Sequence, residues 1–432
     1  MKRWIVALAA LPAFAQQTPV LTMTGALERA RQSAPAIVAA RMRVDEARGR
    51  VIGASLPFSS NPSVEIEAGR RSGATSSTDY GVAVGQDIDL PRRRHARIDA
   101  AHAVVTQEEQ RARDVERGVL REVATAFLRA LEARERADAA ASGRQLAEEA
   151  LRIAERRYTA GDVAQLDVNL VRTAVARADA DVRTATATLA GQVTHLQVLL
   201  GIPEPIEIGG SLRDADQLAV DGWPLAGDPS RPRFSLSRQP PTANRQPPAA
   251  TLASDDLVQR AADRPDVQIV DAEIAEAEAE QRLAQTMRLP NFGLRASYSR
   301  EEGDRILLGG VGITLPVFHR GQEATAVAGA RLARLRAERE ALTRTIEAEV
   351  RGAAASYEAL RAAAAQYEQS VLPLIEENER LALESYDVGQ IGLADLLLVR
   401  REALDARRAF LDQLIEMRLA EVELRAHAGV WK

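Results

Sequence analysis

A chain of 432 residues with 61 acidic and 56 basic side chains carries a formal charge of −5, which argues against a nucleic-acid partner. It has no cysteine, so outside the cytoplasm it is held by packing and association rather than by disulfides. Aromatic residues make up only 4% and alanine is abundant, which suits long, closely packed helices better than a thick globular core.

In chain order the first element is a leader. Met1-Lys2-Arg3 is a basic start, Trp4 to Phe14 an apolar run, and Ala13-Phe14-Ala15 a small-x-small cleavage site, so residues 1–15 read as a secretory signal peptide. The run is too short to span a bilayer, and no later stretch approaches a transmembrane helix in length. No cysteine follows the cleavage site, so a lipid anchor on an N-terminal cysteine is not expected.

Residues 16–202 follow one plan: a helix, two short strands, a very long helix, a glycine-centred turn and a long return helix. Val64, Ile66 and Ala68, then Tyr80, Val82, Val84, Ile88 and Leu90, alternate with other residues across 63–90, as in a β-strand with one lipid-facing side. The stretch 69–78 between them is polar and reads as a loop. From Arg92 to Tyr158 there is no proline and little glycine; about 65 residues of helix run roughly 100 Å, longer than a compact domain of this size holds. The turn reads Tyr158-Thr-Ala-Gly161-Asp-Val-Ala-Gln-Leu-Asp167-Val-Asn-Leu-Val-Arg172. The return helix places Val171, Val175, Ala178, Val182, Ala185, Leu189, Val193, Leu196 and Leu200 at alternating steps of three and four, a coiled-coil seam, and stops at Gly201-Ile202.

Residues 203–253 break the pattern. They form an inter-repeat linker and equatorial region, within which Asp221 to Thr251, with Pro224, Pro229, Pro232, Pro240, Pro241, Pro247 and Pro248, reads as a stretch without regular structure. Residues 254–432 then repeat the plan. Leu257 to Pro265 answers Leu27 to Pro35, Asn291 answers Asn61, and Leu315-Pro316 answers Leu90-Pro91. A strand pair is predicted over 291–315, with Phe292, Leu294, Ala296, Tyr298, Leu307, Val311 and Ile313 on one face and a polar loop at 300–304. A helical hairpin over 319–429 carries Pro373 in its first arm. Its turn reads Tyr386-Asp-Val-Gly389-Gln-Ile-Gly-Leu-Ala-Asp395-Leu-Leu-Leu-Val-Arg400, and it stops at Gly429-Val430. Leu396, Val399, Ala403, Ala406, Phe410, Leu414, Met417 and Leu424 form its seam.

A long-period duplication points to an assembly of equivalent halves rather than to one active site. The predicted fold class is mainly α, with four strands per chain contributed to a membrane β-barrel. Four strands cannot close a barrel, and open edges do not survive in lipid, so several chains must share one; three supply twelve strands and two supply eight. A soluble β-patch packed on the helices is the alternative. The charged runs Glu132, Arg134, Glu135, Arg136 and Glu273, Glu276, Glu278, Glu280 read as solvated helix faces, not metal sites. His95, His102, His195, His319 and His427 are scattered without ligand spacing. No Gly-rich phosphate loop, nucleophile elbow or cysteine nucleophile is present, so neither an enzyme nor a cofactor is expected. A periplasmic coiled-coil scaffold or adhesin fits the helices but has no need of the duplicated strands.

With these pieces assembled, the chain resembles the TolC family of outer-membrane efflux proteins over nearly all of its mature length. The duplicated order, the paired Tyr-x-x-Gly…Asp…Arg turns and the Leu-Pro junctions carry the resemblance together. It implies a homotrimer, with twelve strands forming a barrel in outer-membrane lipid and the long helices a tunnel through the periplasm. A periplasmic adaptor and an inner-membrane pump, of RND type, dock at the helical tips, and the channel is a passive exit duct. A type I secretion channel shares these parts. Gln86-Asp-Ile-Asp-Leu-Pro-Arg-Arg-Arg94 and Pro316-Val-Phe-His319-Arg-Gly-Gln322 resemble junctions of heavy-metal efflux members similar to CzcC or CusC, while drug cargo stays open.

The resemblance also assigns residues. The glycine turns become the periplasmic end, where the tunnel closes at rest through links among Tyr, Asp and Arg. By position Asp167 and Tyr386 match two link residues, and Asp395 matches an acidic ring at the constriction. Ile391 stands where a closing arginine is expected and Leu398 where a second ring acid is expected, so charge holds this gate less strongly. N-capping after the turn is the alternative role for Asp167 and Asp395, and the two roles are compatible. Ala160, Gly161, Asp162, Val163, Val388, Gly389, Gln390 and Ile391 form the tips that meet the adaptor.

Overall fold

Pro35, Pro91 and Pro265 each open a helix, where the missing N–H has no intrahelical partner to lose and the fixed φ is already helical. The protein was analysed as a computed structural model describing residues 20–72, 76–213, 249–302 and 304–430. The stretch read as a signal peptide and most of the expected linker lie outside the described residues. The elements run β1 (Val20–Leu21), α1 (Met23–Ser33), α2 (Pro35–Ser55), β2 (Ser63–Arg71), β3 (Ser77–Ile88), α3 (Pro91–Ala160), α4 (Gln165–Leu200) and β4 (Glu207–Ile208). They continue α5 (Ala249–Ala261), α6 (Pro265–Thr286), β5 (Asn291–Glu301), β6 (Asp304–Thr314), α7 (Gln322–Gln366), a π turn (Tyr367–Val371), α8 (Leu372–Asp387) and α9 (Leu393–His427). Helix α5 begins inside the stretch read as linker. Contacts divide the chain into two units, each drawing on both repeats: one contains the four long strands, the other both glycine turns.

The long strands form one antiparallel sheet in the order β2-β3-β5-β6. Its register puts the alternating apolar residues on a single face. Val64 pairs with Val84, Val84 with Ala296 and Ala296 with Gly309; Ile66 pairs with Val82, Val82 with Tyr298 and Tyr298 with Leu307. The opposite face carries Glu65, Glu67, Asp87, Arg295, Ser297 and Ser299 among glycines and alanines, with Ile306 and Leu308 of β6 beside Ser299 and Ser297. The apolar face is bare: Ile66 is 76% exposed, Leu307 80% and Val311 65%. β2 and β6 each pair on one side only, so the sheet ends in two open edges. The hairpins are tighter than the polar stretches predict, because pairing continues to Arg71↔Ser77 and Glu301↔Asp304. Arg71 donates to Asp79, Glu301 and Glu302, so polar side chains there extend the sheet instead of ending it.

The junctions explain the arginine run after β3. The last carbonyls of a helix lack intrahelical donors and favour a nearby cation. Arg94 donates to the carbonyls of Ser55 and Leu56, and Arg97 to those of Ala54 and Leu56, at the end of α2. Arg93 serves Thr286 and Leu289 at the end of α6 in the same way. Arg97 also pairs with the buried Asp89 carboxylate at 2.6 Å. Burial works against that carboxylate's charge, but hydrogen bonds from Arg97 and Ser59 and the charges of Arg97 and Arg93 prevail and hold its pKa below the ordinary value.

The helical seams are as the spacing predicts. Val171, Leu196 and Leu200 of α4 are buried and the seam positions between them half-buried, and Leu396, Ala403, Phe410, Leu414, Met417 and Leu424 of α9 are buried. The acidic runs need correction. Glu132 and Glu276 are buried, the first paired with Arg129 and Arg136 and the second with Arg331. Arg134 and Glu135 hold the backbone of Ile208, Gly210 and Leu212. These charges satisfy partners within the protein, which helical periodicity alone does not reveal. The second long helix also differs from the first. It carries one residue more between Glu349-Val350 and Tyr386 than lies between Glu122-Val123 and Tyr158, and the π turn takes up an insertion of that size. Pro373 follows at once, where the hydrogen-bond ladder has already changed register.

Candidate gate at the paired helical turns

Both turns are built alike, atom for atom. Gly161 has φ 85° and Gly389 φ 75°, left-handed values that a side chain resists. The N–H of Gly161 bonds the carbonyl of Tyr158 and that of Asp162 the carbonyl of Arg157; Gly389 to Tyr386 and Gln390 to Ser385 repeat the pattern. This is the Schellman ending, and it closes the other ends of the hairpins too, at Gly201 and Gly429. The return helices then start on residues with no side-chain oxygen, Ala164 and Gly392. An acid three residues on reaches back: Asp167 Oδ2 accepts from the Ala164 N–H and Asp395 Oδ2 from the Gly392 N–H, each at 3.1 Å. That is the second half of a capping box, and a carboxylate there also suits the helix dipole. The capping role of Asp167 and Asp395 is therefore present in the structure.

The tip residues divide by burial. Ala160, Gly161, Asp162, Val388, Gly389 and Gln390 are exposed, while Val163 and Ile391 are half-buried. Beneath them Ala150, Ala154, Val168, Val171, Ala382, Tyr386, Leu393 and Leu396 form one apolar cluster, against which Ile391 packs. The two hairpins thus meet side by side within one chain. Asp395 is exposed, and Leu398 is 56% exposed. Exposed ion pairs lace the arms: Arg172–Glu155 at 2.9 Å and Arg144–Asp179 at 2.8 Å in the first hairpin, and Arg408–Asp181 at 2.8 Å between the hairpins. Such surface pairs contribute about 0–1 kcal/mol each, so the apolar cluster holds the tip.

Within the chain Asp167 and Tyr386, each matched to a link residue of the closed turn, do not bond to one another. Asp167 caps its own helix, and the Tyr386 hydroxyl is buried with no hydrogen-bond partner among the described residues, an arrangement that costs about 1–3 kcal/mol. The ring has a partner that sequence reading missed. The guanidinium of Arg157 lies over it, 4.3 Å from the centroid. The available signal was a basic residue in the last turn of α3.

Among the described residues no group of three His, Asp or Glu is placed to hold a metal ion. His95, His102, His195 and His319 are exposed, and His427 lies 3.1 Å from Glu349. No described helix is long and apolar enough to cross a membrane.

The family model described as "Outer membrane efflux protein" matches residues 26–202 and 257–430, one match for each repeat. The chain belongs to this family. It is 26% identical over 400 residues to the cobalt-zinc-cadmium resistance protein CzcC of Cupriavidus metallidurans, covering 91% of this chain and 86% of that protein. Its fold is similar to that of crystallised CusC, with a TM-score of 0.72, 17% identity, and 96% of this chain and 95% of that one covered. It is also similar to the open state of the outer membrane channel MtrE of Neisseria gonorrhoeae, with a TM-score of 0.68, 18% identity, and 94% and 89% covered. Family membership makes the protein an outer-membrane efflux channel and agrees with the TolC-like reading of the duplicated turns.

Proposed function

We propose that three copies of this chain form the exit duct of a tripartite efflux system, with metal cations as cargo. The observation that carries the reading is the four-stranded sheet with a bare apolar face and two open edges. Such a sheet is stable in lipid only when other copies complete it, and three copies give twelve strands. The polar second face then lines the lumen. A cleaved leader over 1–15 delivers the chain to the outer membrane, and the helical hairpins reach into the periplasm. A periplasmic adaptor meets the exposed tips at Ala160, Gly161, Asp162, Val163, Val388, Gly389, Gln390 and Ile391, and an RND-type inner-membrane pump supplies the energy.

The duct does no chemistry of its own. Asp167 and Tyr386 shape the closed turn, and Asp395 brings one carboxylate per copy to the constriction. Three like charges close together repel one another and draw cations in. The likeness to the cobalt-zinc-cadmium resistance protein supports a transition-metal cargo. The test is conductance of the purified protein in a planar bilayer, with Asp395→Ala beside the wild type. A cation-preferring channel that loses the preference in the variant supports the reading; a folded protein that needs no detergent for extraction and never conducts refutes it.

A further inference from the structure

We propose that Arg157 latches the closed tip, and that Tyr386 serves the latch through the face of its ring rather than through its hydroxyl; the inference rests on the gated-channel reading above. At 4.3 Å from the centroid the guanidinium is well inside cation–π range. Arg157 lies in the last turn of α3 and Tyr386 in the last turn of α8, so the contact joins the ends of the two hairpins. A hydroxyl link fits poorly. Tyr386 is 2% exposed and its hydroxyl is enclosed, so a neighbouring copy cannot reach it unless the apolar cluster opens.

The duplication makes the pairing directional. In the second repeat Ser385 occupies the place of Arg157, and in the first repeat Tyr158 is 44% exposed. The first hairpin therefore gives the cation and the second gives the ring. Moving the hairpins apart returns the guanidinium to water and uncovers the tyrosine, so the contact favours the closed arrangement and is lost on opening.

The full-length protein in planar bilayers tests this, as wild type, Arg157→Ala, Arg157→Lys and Tyr386→Phe, each checked first for helix content and assembly mass. Arg157→Ala is expected to raise the open-to-closed ratio roughly three- to tenfold. Arg157→Lys, which keeps the charge without the planar stack, falls between. Tyr386→Phe, which keeps the ring and removes the unsatisfied hydroxyl, falls below the wild type. A rise with Tyr386→Phe, or no rise with Arg157→Ala, overturns the latch and leaves the channel standing. If Arg157→Ala fails to assemble, Arg157→Gln carries the same comparison. Folded variants and wild type that all fail to conduct overturn the channel reading, and the latch with it.

Discussion

The turns at Gly161 and Gly389 share their sequence frame, their Schellman endings and their acid caps, yet their tyrosines have opposite fates. Tyr158 is 44% exposed, whereas Tyr386 is 2% exposed, inside an apolar cluster and under a guanidinium. Duplication has kept the backbone device in both copies. The difference lies in which side chain the other hairpin covers, so equivalent turns have unequal mechanical roles: one presents a tyrosine to its surroundings, the other is bolted down.

That contrast can be broken in several ways. Tyr386→Ala removes a buried ring and is expected to cost about 3–5 kcal/mol, while Tyr158→Ala is expected to cost below about 1 kcal/mol. Chemical denaturation of the two variants side by side decides; equal losses refute the asymmetry. The junctions beside the sheet offer a second contrast: with Leu90-Pro91 set on Leu315-Pro316, Thr314 and Gln322 of the second repeat take the places of Asp89 and Arg97 of the first. Arg97→Ala strands a buried carboxylate and is expected to cost roughly 3 kcal/mol. The Asp89 pKa is lowered on folding, so its contribution is present above the ordinary carboxylate range and fades as pH falls through the lowered value. Hydrogen exchange under acid titration is expected to loosen the first junction and spare the second.

Smaller effects sharpen the backbone identity of the turns. Asp167→Ala and Asp395→Ala are each expected to cost about 1 kcal/mol by loss of the cap, and by similar amounts. Gly161→Ala and Gly389→Ala are each expected to cost about 1–2 kcal/mol for the left-handed φ. Local exchange rates at each turn check both pairs. A marked inequality between the two members of a pair would mean the turns are not the same device.

Much of this was legible in the sequence because it follows from spacing. Period-two alternation in Val64–Ile66 and Tyr80–Val84 placed the strands and their apolar face. Steps of three and four from Val171 to Leu200 placed the seam, and the repeated glycines placed the turns. Contacts between residues distant in sequence were not legible. Glu276 looks like a surface charge until Arg331, 55 residues on, is seen beside it. The capping of Ala164 by Asp167 is local and was foreseen as an alternative. The pairing of Arg157 with Tyr386 crosses from one repeat to the other, so no single-repeat pattern contains it. The π turn hid for a different reason. One extra residue in a long alanine-rich helix leaves no mark until the two repeats are counted against each other.

If copies of the sheet complete one another through their open edges, β2 of one copy lies beside β6 of the next. The chain has no cysteine, so engineered pairs report contacts without background. One cysteine placed in β2, scanned from Ser63 to Arg71, against one in β6, scanned from Ile306 to Gly312, tests the edges in native membranes. The account predicts that some pairs crosslink β2 of one copy to β6 of the next and give a ladder ending at three chains. Crosslinks confined within one chain, or a ladder ending at two, would contradict it.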